Sequence, residues 1–382
     1  MPTLSVSSLL GGGSVGAVLN VLRQIDVRPI RAAAEKPFDL AFVSRDPALV
    51  DYLASLLYRG PRAHERPHDR VTRSISLGDR DGEASALRAS IVVIVTREAD
   101  PNTEELALFA RLQATKTPTV IAFTDAIEGA MRQRWLPAPI APLVEANPAA
   151  AQPSALSDAF ATRSLIKAIR ALKTVDELAL ARFLPAFRDP VSRSLIEETA
   201  AANAAYSLTS GLVEINPIAN VPLNVADMFV LTKNQGLMSY KIALAMGMNA
   251  DFKQIMPQIA GVIGGGFLFR QVARGLIGLI PGLGIVPKVG VAFAGTYAAG
   301  EAVMRWCATG QEVTAAMSKQ LYEGALQRGR QIAAELVKRR EARTPRPPRP
   351  ARPPKQLRDA APPPTPTPPS TPPSTPPSTP EA

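Results

Sequence analysis

A chain of 382 residues, 46% hydrophobic and only 5% aromatic, has room for two domains with appendages, and their cores must be built mainly from Ala, Leu, Val and Ile. One cysteine, Cys307, and two histidines, His64 and His68, exclude an internal disulfide and a Cys/His zinc cluster. The formal charge of +10 is concentrated in residues 338–358, which carry nine Lys or Arg against one acid, Glu341, so charge gives no ground for a nucleic-acid face on the folded part.

Residues 1–37 hold Gly11-Gly12-Gly13 and an Ala/Val/Leu-rich stretch interrupted at Pro29, which reads as a lead-in helix. No basic segment precedes the apolar residues 4–22, the first charge being Arg23, so a secretory signal peptide is not expected and the main body is placed in the cytoplasm. From Phe38 the period changes. Phe38-Asp39-Leu40-Ala41-Phe42-Val43-Ser44 reads as a buried strand, followed by Asp46 as a cap and Pro47 in the first turn of a helix through Leu49, Leu53, Leu56 and Leu57. Further strands are expected at 74–77, at Ile91-Val92-Val93-Ile94-Val95, at Thr119-Val120-Ile121-Ala122-Phe123 and, within a Pro-rich closing segment, at 141–144. Strands apolar on both faces and alternating with helices predict an α/β domain with a parallel sheet, assigned to residues 38–175.

Helical spacing dominates from Ala155 onward, and residues 176–337 are expected to form an all-α, Gly-rich apolar domain. Within it, residues 254–269 are uncharged for sixteen positions, 275–287 for thirteen and 289–300 for twelve. Each run is shorter than the roughly 18–20 residues of a simple membrane span. Two linked helices, near 254–272 and 276–306, are therefore expected to form a hairpin packed on Gly264, Gly265, Gly266, Gly282 and Gly284 and broken at Pro281 and Pro287, with membrane lipid as a partner. Residues 338–382 alternate Arg with Pro and then repeat Ser-Thr-Pro-Pro, a composition that opposes helix and sheet ladders and predicts a disordered tail.

Two motifs invite catalytic readings. His64-Glu65-Arg66-Pro67-His68 has the letters of a zinc-protease helix, but Pro67 inside it and Pro61 before it oppose the helix that chemistry needs. Gly11-x-Gly13-x-x-Gly16 has the letters of a dinucleotide fingerprint, but residues 5–10 make a poor strand and Asp39 opens the next strand instead of ending it. The later glycines have no neighbouring Lys-Ser or Lys-Thr and are no phosphate loop. No cofactor or metal is expected.

The order of elements in residues 38–175 resembles a small-GTPase domain of the translation-factor class. The loop after its first strand is Arg45-Asp46-Pro47-Ala48-Leu49, without the Gly-Lys-Ser or Gly-Lys-Thr that would hold phosphate and magnesium. Leu77-Gly78-Asp79-Arg80-Asp81 stands in place of Asp-x-x-Gly, and Phe123-Thr124-Asp125 in place of the guanine-reading Asn-Lys-x-Asp. The second half resembles the helical domain of unknown function in YcjF-like bacterial inner-membrane proteins. That resemblance rests on Pro185-Ala186-Phe187-Arg188, Asn203-Ala204-Ala205-Tyr206, Pro222-Leu223-Asn224-Val225-Ala226-Asp227, Leu231-Thr232-Lys233-Asn234-Gln235, Tyr240-Lys241-Ile242-Ala243-Leu244, Ile280-Pro281-Gly282-Leu283-Gly284 and Thr296-Tyr297-Ala298-Ala299-Gly300-Glu301. It implies association with the inner membrane and no established reaction.

Together these features lead to the expectation of a non-enzymatic, membrane-associated scaffold or adaptor with a GTPase-like domain that has lost its nucleotide site, an unknown protein partner, and a capacity to oligomerise. Lys233, Asn234, Gln235, Tyr240 and Lys241 are the candidate interaction residues, expected on one helix. Two alternatives stay open: a regulatory protein with residual, atypical nucleotide binding, and a cytoplasmic interaction protein whose apolar helices form an ordinary core.

Overall fold

The computed structural model describes residues 26–61, 70–96, 103–124, 133–145, 156–213, 220–249, 251–264, 285–311 and 313–343. The Gly11 to Gly16 and His64 to His68 motifs lie outside the described residues, as do Asp125, Gly265, Gly266, Pro281, Gly282, Gly284 and the tail beyond Arg343. The chain divides into two units at Arg339 and Arg340, and the architecture below belongs to the first, Met1–Arg339.

Helix α1 (Arg28–Glu35) precedes a doubly wound segment: β1 (Leu40–Ser44), α2 (Pro47–Leu57), β2 (Thr72–Ser76), α3 (Arg80–Ala86), β3 (Ile91–Thr96), α4 (Thr103–Ala114), β4 (Thr119–Phe123) and β5 (Ile140–Pro142). The five strands form one parallel sheet in the order β2-β1-β3-β4-β5. Side chains along each strand alternate between two cores, as the period of a pleated strand requires. Leu40, Phe42, Ile91, Val93, Val95, Val120 and Ala122 enter one core, while Ala41, Val43, Val92, Ile94, Ile121 and Phe123 enter the other with α3, α4 and Trp135. This α/β reading of the sequence holds, with β2 starting two residues earlier than expected.

The chain continues through α5 (Asp158–Leu172), α6 (Glu177–Phe183), a 3₁₀ turn at Pro185–Phe187, α7 (Arg188–Val213), α8 (Asn220–Ala245), α9 (Phe252–Gly264), α10 (Ile285–Thr309) and α11 (Ala315–Arg343). The first core does not stop at the sheet. It runs through Leu178, Leu180 and Phe187 to Tyr240, Ile242, Met246, Ile259, Val303 and Cys307, so the sheet and the later helices bury one continuous apolar mass. Phe38 and Phe183 meet edge to face across it, with centroids 5.7 Å apart.

Small residues let the helices approach. A Cβ on Gly300 would come within 2.5 Å of Ile196 Cγ1, and one on Gly329 within 2.6 Å of the Gly290 carbonyl oxygen. Val289, Phe293 and Tyr297 of α10 then pack with Ala200, Ala204 and Leu208 of α7 and with Ala333 of α11.

This packing corrects the expected membrane hairpin. Among the described residues no helix is long and apolar enough to cross a membrane. Helix α9, described over Phe252–Gly264, places Ile255, Met256 and Ile259 in the protein core. Helix α10 has 25 residues but carries Glu301 and Arg305, and its uncharged stretch is buried against α7, α8 and α11. Gly and Ala on every side of such a helix serve close packing inside the protein. Gly264 is the last described residue of α9, and Pro287, expected as a break, lies within α10; Gly265, Gly266, Pro281, Gly282 and Gly284 lie outside the described residues.

Candidate functional site

In an open parallel sheet the crevice suited to ligands lies beyond the carboxyl ends of the strands, where the order reverses, here between β1 and β3. The residues there are Ser44 to Pro47 after β1, Thr96 at the end of β3, and Glu104 and Glu105 in the first turn of α4. Their bonds are directed at one another. Asp46 caps α2 by accepting from the Leu49 N–H at 3.1 Å, and its own N–H donates to Ser44 Oγ at 3.3 Å. Pro47 occupies the first turn of α2 and has no N–H to offer. Arg45 reaches over to Glu104 at 2.9 Å, joining the β1 and β3 sides. Beneath, the buried Thr96 hydroxyl donates to the buried Glu105 carboxylate at 3.1 Å, and Thr124 binds the Thr96 carbonyl through its N–H at 3.1 Å and its hydroxyl at 3.2 Å.

A phosphate cradle needs successive free backbone amides at a helix N-terminus and a nearby cation. Here a carboxylate occupies that position, one amide is missing, another is already bonded, and Arg45 is committed to Glu104. Asp79 is likewise engaged as the cap of α3, accepting from the Asp81 N–H at 3.2 Å.

The second candidate region is the seam between α7, α8 and α10. Asn203 donates through Nδ2 to Thr296 Oγ1 at 2.8 Å and accepts from Asn234 Nδ2 at 2.7 Å. Gln235 Nε2 donates to the same Thr296 oxygen at 3.2 Å, and that hydroxyl donates to the Ala292 carbonyl at 2.9 Å. Ser239 donates to the Gln235 carbonyl at 2.7 Å. Asn203, Gln235, Ser239 and Thr296 are buried, and the Thr296 hydroxyl uses its proton and both acceptor sites.

All five residues singled out on α8 lie on that helix, but the structure separates them. Lys233 is exposed and Lys241 half-buried, and neither pairs with a carboxylate among the described residues. Asn234 is half-buried and ends the polar chain, whereas Gln235 lies inside it. Tyr240 is fully buried, edge-on to Phe252 with centroids 5.1 Å apart, and burial raises its phenol pKa above the ordinary range.

Sequence reasoning did not foresee the junction built on Arg188. Its guanidinium is buried at the start of α7 and donates to the carbonyls of Ala181 at 3.3 Å, Arg182 at 3.4 Å and Pro61 at 2.5 Å. Burial, with the neighbouring charge of Arg182, lowers its pKa to about 10, so it stays protonated at neutral pH. Gly60 lies beside it because a Cβ there would come within 2.4 Å of the Pro185 carbonyl oxygen. The hint in the sequence was an Arg inside the run Pro185-Ala186-Phe187-Arg188, where the helix begins.

Comparison with known protein-family models, curated proteins and solved structures returns no match. The two family resemblances therefore rest on the quoted residues alone, and no family evidence supports the GTPase-like or YcjF-like descriptions.

Proposed function

We propose that this chain is a non-enzymatic interaction protein, an adaptor or scaffold, whose α/β segment serves as a binding module and carries out no nucleotide chemistry. The observation that carries the reading is the Asp46 carboxylate at the N-terminus of α2, flanked by Pro47 and by the Arg45 to Glu104 ion pair. A polyphosphate placed there would meet a like charge and would have to displace a cap worth about 1 kcal/mol. The surrounding carboxylates, Glu104 and Glu105, add to the repulsion.

The helices favour the interaction reading as well. Their polar interior is consumed by mutual hydrogen bonds, which leaves Lys233 and Lys241, with Leu237 one turn from each, among the accessible groups on the described side chains of α8. This stripe fits an acidic protein surface.

Equilibrium dialysis of labelled GTP with magnesium tests the first part. No saturable binding at micromolar nucleotide is expected. Saturable binding that is lost on changing Arg45 or Asp46 would replace the adaptor with a nucleotide-regulated protein.

A further inference from the structure

Among the described residues β2 is one of the two edges of the sheet, and its register shows which backbone groups face outward. Leu40 N–H donates to the Val71 carbonyl at 2.9 Å and Leu77 N–H to the Ser44 carbonyl at 2.9 Å, with Leu40, Phe42 and Ser44 opposite Thr72, Ser74 and Ser76. In a parallel ladder of this register Arg73 and Ile75 bond inward to β1, and the N–H and C=O groups of Thr72, Ser74 and Ser76 point away from the sheet. Two of these six groups are satisfied within the chain. The Thr72 N–H donates to the Tyr58 hydroxyl at 3.2 Å, and the Ser76 carbonyl accepts from the Asp79 N–H at 3.2 Å. That leaves the Thr72 carbonyl, the Ser74 N–H, the Ser74 carbonyl and the Ser76 N–H without a partner among the described residues.

This set is symmetric about Ser74. Placed antiparallel to itself, it matches each Ser74 N–H to the other Ser74 carbonyl and each Ser76 N–H to the other Thr72 carbonyl. We propose that β2 is an isologous dimer edge, at which two copies of this chain pair antiparallel about Ser74 into one continuous sheet. An unrelated extended peptide fits less well. It would present a carbonyl to the Thr72 N–H and an N–H to the Ser76 carbonyl, both already engaged, whereas the second copy's groups at those two points are themselves satisfied.

Among the described residues, the surroundings admit a second copy. Ser74 and Ser76 are exposed and Thr72 half-buried, and the strand Thr-Arg-Ser-Ile-Ser has no Pro, no Lys and no bulge of the kind that blocks edge pairing. Arg73 is turned to the opposite face, where it pairs with Asp39 at 2.6 Å and donates to the Ser85 carbonyl at 3.0 Å. On the other face the Ser74 hydroxyl donates to Asp51, which marks the side of α2 nearest the edge. The residues that share that side by helical spacing, Ala48 and Ser55, are small and exposed. This inference goes beyond the adaptor reading and does not depend on it.

Sedimentation of the full chain over a concentration series is expected to show a species of twice the 40.6 kDa mass of one chain, lost to monomer in Ser74→Pro. The register is read by cysteine crosslinking, since the single native cysteine, Cys307, is buried. Ser74→Cys should form an intermolecular disulfide under mild oxidation, its two Cα atoms being about 5.5 Å apart across the axis. Thr72→Cys and Ser76→Cys should each fail alone, with like residues roughly 13 Å apart, and should crosslink when mixed. A chain that stays monomeric throughout the series overturns the proposal. So does a dimer in which Ser74→Cys does not crosslink, or in which Thr72→Cys and Ser76→Cys fail when mixed, and this arm needs no proline in the strand.

Discussion

At Arg188 a single side chain holds three segments: its guanidinium binds the carbonyls of Ala181 and Arg182 at the end of α6 and that of Pro61 in the loop leaving α2. Arg188→Ala should therefore lower unfolding stability by about 3 kcal/mol, because buried carbonyls lose a charged donor. Arg188→Lys should recover only part of it, since an ammonium does not span the planar fork of contacts. Equal denaturation midpoints for all three proteins would show that the junction does not depend on the guanidinium. Cys307 supplies a second residue-level test. Burial pushes its thiol from 9.0 up to about 12, so the unfolded chain ionises first. The contribution is fully present below pH 9.0 and is lost as pH rises towards about 12. Denaturant midpoints measured on either side of pH 9.0 should fall more steeply in the native protein than in Cys307→Ala. Parallel slopes would place the thiol in contact with water.

Among the elements, β1, β3 and β4 were legible in the sequence because both of their faces are buried, giving continuous apolar runs such as Ile91-Val92-Val93-Ile94-Val95. Edge strand β2 was harder to place, since only Ile75 of its five residues is buried, and β5 has three residues and ends at Pro142. The apolar stretch of α10 misled for a physical reason: Ala and Gly on all sides of a helix suit lipid-phase packing and a crowded protein interior equally. The neighbours in space decide between them, and here they include Asn203 and Gln235, both bonded to Thr296. The sequence held these residues in separate motifs and gave no sign that they meet. Thr296→Val should cost about 2 kcal/mol, because it leaves two buried amides without their shared acceptor. Combining it with Asn203→Leu and Gln235→Leu should cost less than the sum of the single changes, since the amides then leave with the acceptor. Strict additivity in equilibrium unfolding would show that the three do not form one network.

At the scale of the first unit, the sheet and the helices behind it share one core. The legible part of the candidate site was Asp46 as the cap and Pro47 in the first turn of α2. What the letters did not reveal was the internal web that adds the Arg45 to Glu104 and Thr96 to Glu105 bonds. Those partners are far apart in the chain and meet only when β1 and β3 lie side by side. On the proposed reading, this edge takes no nucleotide and the protein works through its surfaces. Hydrogen exchange of the peptides covering residues 44–57 and 91–112, with and without GTP and magnesium at saturating concentration, should then be identical in the two conditions. Saturable protection at the start of α2, lost when Arg45 is changed, would overturn that reading.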